Sequence, residues 1–117
     1  MSFAVETSDV ADGEIEAAYL RISARNPEFA GRWLEGLLRA LEKLDQFPFS
    51  HPRVEESEIF GREVRRMLYR NGQITYRILF TVVDADGDGE LDTIRVLHIR
   101  HGALRPFGQA ATEVEQE

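Results

Sequence analysis

The stretch VRRMLYRNGQITYRILFTVV, from Val64 to Val83, decides how this chain folds. At its centre stands Asn71-Gly72, the strongest short-range signal for a two-residue type I′ hairpin turn, because both turn positions need positive φ and Asn and Gly reach it at least cost. Two strands therefore flank it, Val64 to Arg70 and Gln73 to Val83. With Asn71 and Gly72 as the loop, Arg70 opposes Gln73, Leu68 opposes Thr75, Arg66 opposes Arg77 and Val64 opposes Leu79. Arg65, Met67 and Tyr69 then share the other, more apolar face with Ile74, Tyr76 and Ile78. One face reads as core and the other carries arginines.

A third strand, Thr93 to Ile99, follows an acidic loop, and its Val96-Leu97-His98-Ile99 reads as buried on both faces. Upstream the period changes to helical. Ser8 or Asp9 caps a helix in which Ile15, Ala18, Tyr19 and Ile22 fall at i, i+3, i+4 and i+7. Asn26-Pro27 caps a second helix, with Ala30, Trp33, Leu34, Leu37, Leu41 and Leu44 on one stripe until Phe47-Pro48 stops it. Phe3 and Val5 alternate as a short N-terminal strand, and residues 47–61 read as a surface loop without periodicity. The expected fold is α+β: a short N-terminal strand and a helical hairpin packed on a three- to four-stranded antiparallel sheet. The helices cover one sheet face, which leaves the other free for function.

The 117 residues fit one domain, residues 1–107, followed by a polar, acidic tail, 108–117, read as frayed. No apolar run approaches the roughly 20 residues that span a bilayer, and the N-terminus lacks a signal-peptide pattern, so a cytoplasmic location is expected. There is no cysteine, which removes disulfides and thiol chemistry. A net charge of −7 argues against a nucleic-acid binder when taken whole. The distribution differs. Residues 62–105 hold eight arginines against six acids, five of which sit between Asp84 and Asp92. Thirteen of the 14 basic residues are Arg, whose planar fork suits phosphate and carboxylate; a GC-rich coding bias is the bland alternative.

Like charges facing each other across a sheet are unfavourable unless an anion lies between them, so Arg66 and Arg77 read either as a phosphate clamp or as partners of acids elsewhere. A slip of one residue would put Arg65 in place of Arg66. His98, Arg100, His101 and Arg105 cluster at the end of the last strand. A histidine exchanging protons beside an arginine suits metal-free RNA cleavage; His98, between Leu97 and Ile99, also reads as a hydrogen-bonded structural residue. Asp84, Asp86, Asp88 and Gly89 mimic the front of a calcium loop, but position 12 is Arg95 and strands flank it. A solvated hairpin loop with at most adventitious calcium is expected there. His51 stands too far from other ligands to imply a metal, and no metal or cofactor is called for.

Taken together, Ala30-Gly-Arg-Trp33 through Leu44 and Phe47-Pro48, then Val64-Arg65-Arg66, Tyr76-Arg77-Ile78 and Val96-Leu97-His98-Ile99-Arg100-His101-Gly102-Ala103, resemble the RelE/ParE toxin superfamily of toxin–antitoxin and plasmid-stabilisation modules. The resemblance implies a cognate antitoxin that wraps the toxin in a hetero-oligomer, and growth arrest when the toxin is free. RelE-type members cleave mRNA in the ribosome, and ParE-type members inhibit DNA gyrase. Arg65 or Arg66, Arg77 and His101 match the nuclease-type site positions, but Gly102 follows His101 where that pattern has Arg. The run His101-Gly-Ala-Leu-Arg105-Pro is similar to the ParE branch. Three functions follow: a gyrase-directed toxin, an mRNA endonuclease using Arg66, Arg77 and His101, or a non-toxic binding module. Under the first two, Arg77→Ala is expected to weaken toxicity while sparing the fold.

Overall fold

The computed structural model describes residues 3–102. The tail 108–117 and Arg105 lie outside the described residues. The element order is β1 (Ala4–Thr7), α1 (Asp9–Arg25), α2 (Pro27–Glu42), α3 (Ser57–Phe60), β2 (Arg65–Asn71), β3 (Ile74–Val83) and β4 (Thr93–His101), with 3₁₀ turns at Lys43–Asp45 and Pro48–Ser50. Ser8 caps α1 by accepting the Ala11 N–H. Asn26 takes an extended conformation that ends α1, and its side chain accepts the Phe29 N–H to start α2 behind Pro27. The hairpin thus follows from one dipeptide.

The four strands form a mixed sheet in the order β1-β4-β3-β2, antiparallel except for β1, which runs parallel to β4. The helices α1 and α2 pack on one face. Trp33, Leu37 and Leu44 of the helical stripe are fully buried against Ile78, Phe80, Ile94 and Val96. Trp33 sits edge-on to Tyr76, with centroids 5.1 Å apart, and beside Tyr69, whose hydroxyl donates to the Trp33 carbonyl at 2.8 Å. That tyrosine reaches the helix backbone because residue 36 is glycine: a Cβ there would stand 2.2 Å from the Tyr69 hydroxyl oxygen.

The hairpin register differs from the sequence expectation. Asn71 pairs with Ile74, which makes Gly72-Gln73 the loop, so Arg66 opposes Leu79 and Leu68 opposes Arg77. Gly72 takes φ +66 and is the turn's one residue at positive φ. A type I′ turn needs positive φ at both central positions, and with Gln73 second the turn follows the II′ pattern instead. The loop moves by one residue and each pairing by two, so every side chain keeps its expected face. Met67, Tyr69, Ile74, Tyr76 and Ile78 all join the core. On β4 an extra residue, Leu97, separates the pairs Leu79↔His98 and Phe80↔Val96, and Leu97 and His98 are only half-buried rather than sealed on both faces.

The second sheet face is not left free. The loop expected at residues 47–61 is structured: His51 packs on Phe80 at the helix-covered side, and residues 54–63 fold across the second face as a strap. Ser57 Oγ accepts the Val64 N–H at 2.9 Å and donates to the Val64 carbonyl at 3.1 Å. Arg66 N–H donates to the Pro52 carbonyl and Val54 N–H to that of Val64. Glu56, Ser57, Leu79 and Arg100 are buried beneath or within the strap.

Candidate functional site

β3 and β4 position the polar residues of the site, and their register sorts them. Arg77 pairs with Arg100 and Leu79 with His98, which places these four on the strap-covered face. Tyr76 pairs with His101 on the helix-covered face. The two arginines that do face each other directly are therefore Arg77 and Arg100; Arg66 and Arg77 share a face only as diagonal neighbours. The Arg77 guanidinium donates to Glu56 at 2.8 Å, with side chains 15% and 5% exposed. A carboxylate from the strap thus supplies the anion that the opposed arginines call for. Nothing in the aperiodic Glu55-Glu56-Ser57 run marks Glu56 for this role.

The neighbours are similarly engaged. Arg65 donates to the His51 and Phe49 carbonyls at 2.7 and 3.2 Å, pairs with Glu63 at 3.3 Å and lies over the Phe49 ring. It fastens the strap rather than facing outward. His98 Nδ1 lies 3.1 Å from Glu14 Oε2, while Glu14 Oε1 accepts the Ile99 N–H at 2.8 Å. β1 stops at Thr7, and Glu14 of α1 takes over the exposed edge of β4 beyond it. The Phe60 ring of the strap covers the His98 ring at 5.6 Å. His98 is thus held between Glu14 of α1 and Phe60 of the strap. Among the described residues, the Arg66 side chain makes no hydrogen bond or ion pair, and its Nε is buried without a partner.

On the helix-covered side, His101 stacks edge-on to Tyr76 at 5.3 Å and lines a cavity of about 280 Å³ with Arg21, Arg25, Phe29, Ile74 and Tyr76. Arg21 donates to the Tyr76 hydroxyl at 2.9 Å. Burial, and secondarily the Arg21 charge, hold the His101 imidazole below its ordinary pKa, which favours the neutral form at pH 7. Burial and then Arg65 do the same to His51. Neither Arg21 nor Arg25 carried a signal in the sequence, since both lie off the apolar stripe of α1. The cavity can seat a flat or acidic group, yet Arg77 and Arg66 reach only the opposite face. The structure does not bring Arg66, Arg77 and His101 together.

Between β3 and β4, the carboxylates of Asp84, Asp86, Asp88 and Asp92 converge within 4.8 Å of one another. Asp84 accepts the N–H groups of Gly87, Asp88 and Gly89, and Asp92 that of Ala85. The Gly89 amide first, then those of Gly87 and Asp88, lower the Asp84 pKa. Against the pull of the Asp88 amide, desolvation and the Asp84 and Asp92 carboxylates raise that of Asp86. These bonds hold the shape of the loop between the two strands.

The structure is thus a helical hairpin on a four-stranded sheet, with Arg77 and Arg100 lying under a strap. Its fold is similar to that of a solved chain described as "Chromosomal ParDE TA system from P. aeruginosa", at 18% identity and a TM-score of 0.63, covering 86% of this chain and 96% of that one. No curated protein matches the chain. The family model for the ParE toxin of the type II toxin–antitoxin system parDE matches residues 5–105. The chain belongs to this family, and is a type II toxin with an antitoxin as its partner. Among the described residues no helix is long and apolar enough to cross a membrane.

Proposed function

We propose that this toxin arrests growth in the cytoplasm by binding DNA gyrase, as a protein ligand and not as a nuclease, until its antitoxin sequesters it in a hetero-oligomer. The observation that carries this reading is the division of the polar residues between two sheet faces. Arg77 is committed to Glu56 on one side, and His101 looks into an arginine- and aromatic-lined cavity on the other. General acid–base cleavage of RNA needs the proton-transfer group and the phosphate-holding cation within hydrogen-bond reach of one phosphodiester. That requirement disfavours cleavage by Arg66, Arg77 and His101 acting as one set.

Induction of the chain without its neighbouring gene tests the reading. Growth arrest with intact mRNA and an induced DNA-damage response, together with inhibition of plasmid supercoiling by purified gyrase, supports it. Loss of full-length mRNA moves the assignment to the endonuclease. Normal growth at verified soluble expression moves it to a non-toxic binding module.

A further inference from the structure

β2 is an edge strand, because the sheet order ends on it. Its free side is paired only at its start, where the Arg66 N–H reaches Pro52 and the Val64 carbonyl accepts from Val54. Backbone groups two residues apart point the same way. The N–H and C=O of Leu68 and Arg70 and the C=O of Arg66 therefore point off the sheet, and among the described residues none of them has a hydrogen-bond partner. Such a row is a template for another strand. The side chains beside it are just as specific. Arg66 has no polar partner, Arg70 is exposed, and Leu68 between them is 47% exposed.

We infer that the free edge of β2 from Arg66 to Arg70 takes up an extended segment of the antitoxin, one reading acid, any residue, apolar, any residue, acid. The apolar side chain lies against Leu68, and the acids lie against Arg66 and Arg70. This rests on the antitoxin reading and adds where and how the partner docks. Charge complementarity selects the occupant. A second copy of the chain is disfavoured, because two β2 edges meeting antiparallel about Leu68 would set Arg66 of each copy against Arg70 of the other, and like charges directly opposed are destabilising. A segment with two acids at that spacing converts both repulsions into pairs.

Hydrogen exchange of the chain alone and of the complex co-purified with the product of the adjoining gene tests the inference. In the free chain the Leu68 and Arg70 amides should exchange rapidly, and in the complex both should slow by at least tenfold. The variant Arg66→Glu/Arg70→Glu, checked for an unchanged thermal transition, should bind that product about tenfold or more weakly at low salt, with the difference shrinking as salt rises. Rapid exchange of both amides in a complex that does form overturns the inference while leaving the antitoxin reading intact. In that case the arginines serve only to keep copies of the edge apart. Failure of any complex to form overturns both. Concentration-dependent protection of the two amides in the free chain also overturns the inference, because the occupant is then a second copy.

Discussion

Replacing Glu56 by Gln removes the charge that holds Arg77 while keeping the shape of the side chain. The two partners are 5% and 15% exposed, so water cannot fully replace the lost carboxylate, and Arg100 stands directly across from Arg77 with a like charge. Removing one partner of a buried pair costs about 3–5 kcal/mol because the other charge is left uncompensated. In a domain near 100 residues, about 1 kcal/mol moves the melting temperature by roughly 4 °C, which gives a fall of about 12–20 °C. Trp33, the one tryptophan, is fully buried and reports unfolding in urea by fluorescence. The double variant Glu56→Gln/Arg77→Met should recover most of the loss, since replacing a whole buried pair by apolar groups is often near neutral. Arg77→Ala alone should destabilise strongly, contrary to what the sequence suggests. A cost below about 1 kcal/mol for Glu56→Gln, the range of exposed pairs, would refute the reasoning. It would mean that the strap stands open in solution and that Arg77 meets outside partners.

Three further outcomes follow from the same geometry. Gly36→Ala should destabilise by about 1–3 kcal/mol through overpacking against Tyr69, despite a gain of about 1 kcal/mol in helix propensity, and Tyr69→Phe should relieve much of that cost; urea titrations of the four chains measure it. Ser57→Ala strands the buried Val64 N–H and should cost about 1–3 kcal/mol by the same assay, loosening the strap at its base. For His101 and His51 the folded-state pKa values lie below the ordinary 6.5, so the unfolded chain binds more protons and stability falls as pH drops through about 6.5. His101→Gln and His51→Gln should each flatten the melting temperature against pH between 7 and 5, and an unchanged slope in both would contradict the assigned burial.

What could be read in the residues divides along physical lines. The helical hairpin was legible because Asn26-Pro27 states its own turn and the apolar stripe keeps one period. The facing of each strand was legible for the same reason, as alternation survives a two-residue error in pairing. The register itself was not, because it depends on whether Gln73 or Asn71 enters the turn, a contest between conformers of small energy difference. The parallel partner of β1 was out of reach, since Ala4 meets Thr93 and nothing local in either strand names the other. The strap was missed for a different reason. Glu56 has no periodic neighbours, and its partner lies 21 residues away, so only the folded sheet makes them a pair. The site suffered most, because only the folded sheet gives Arg77 its carboxylate partner and sorts His98 and Arg100 onto one face and His101 onto the other.

The separation of Arg77 from His101 is a property of the pleat and not of rotamers. Arg77 stands opposite Arg100, and Tyr76 opposite His101, so no side-chain rotation carries the arginine through the sheet. Bringing it to the histidine's face requires β3 to slip by one residue, which turns Ile78 and Phe80 out of the core along with it. Each such side chain loses about 1.5–3 kcal/mol on leaving the interior, and the two together reach a large share of the 5–15 kcal/mol that holds a typical domain folded. Assembling an arginine–histidine cleavage centre from these residues would therefore nearly unfold the sheet that carries them. Binding a partner at the free edge of β2 requires no such rearrangement, since the donors and acceptors already point outward.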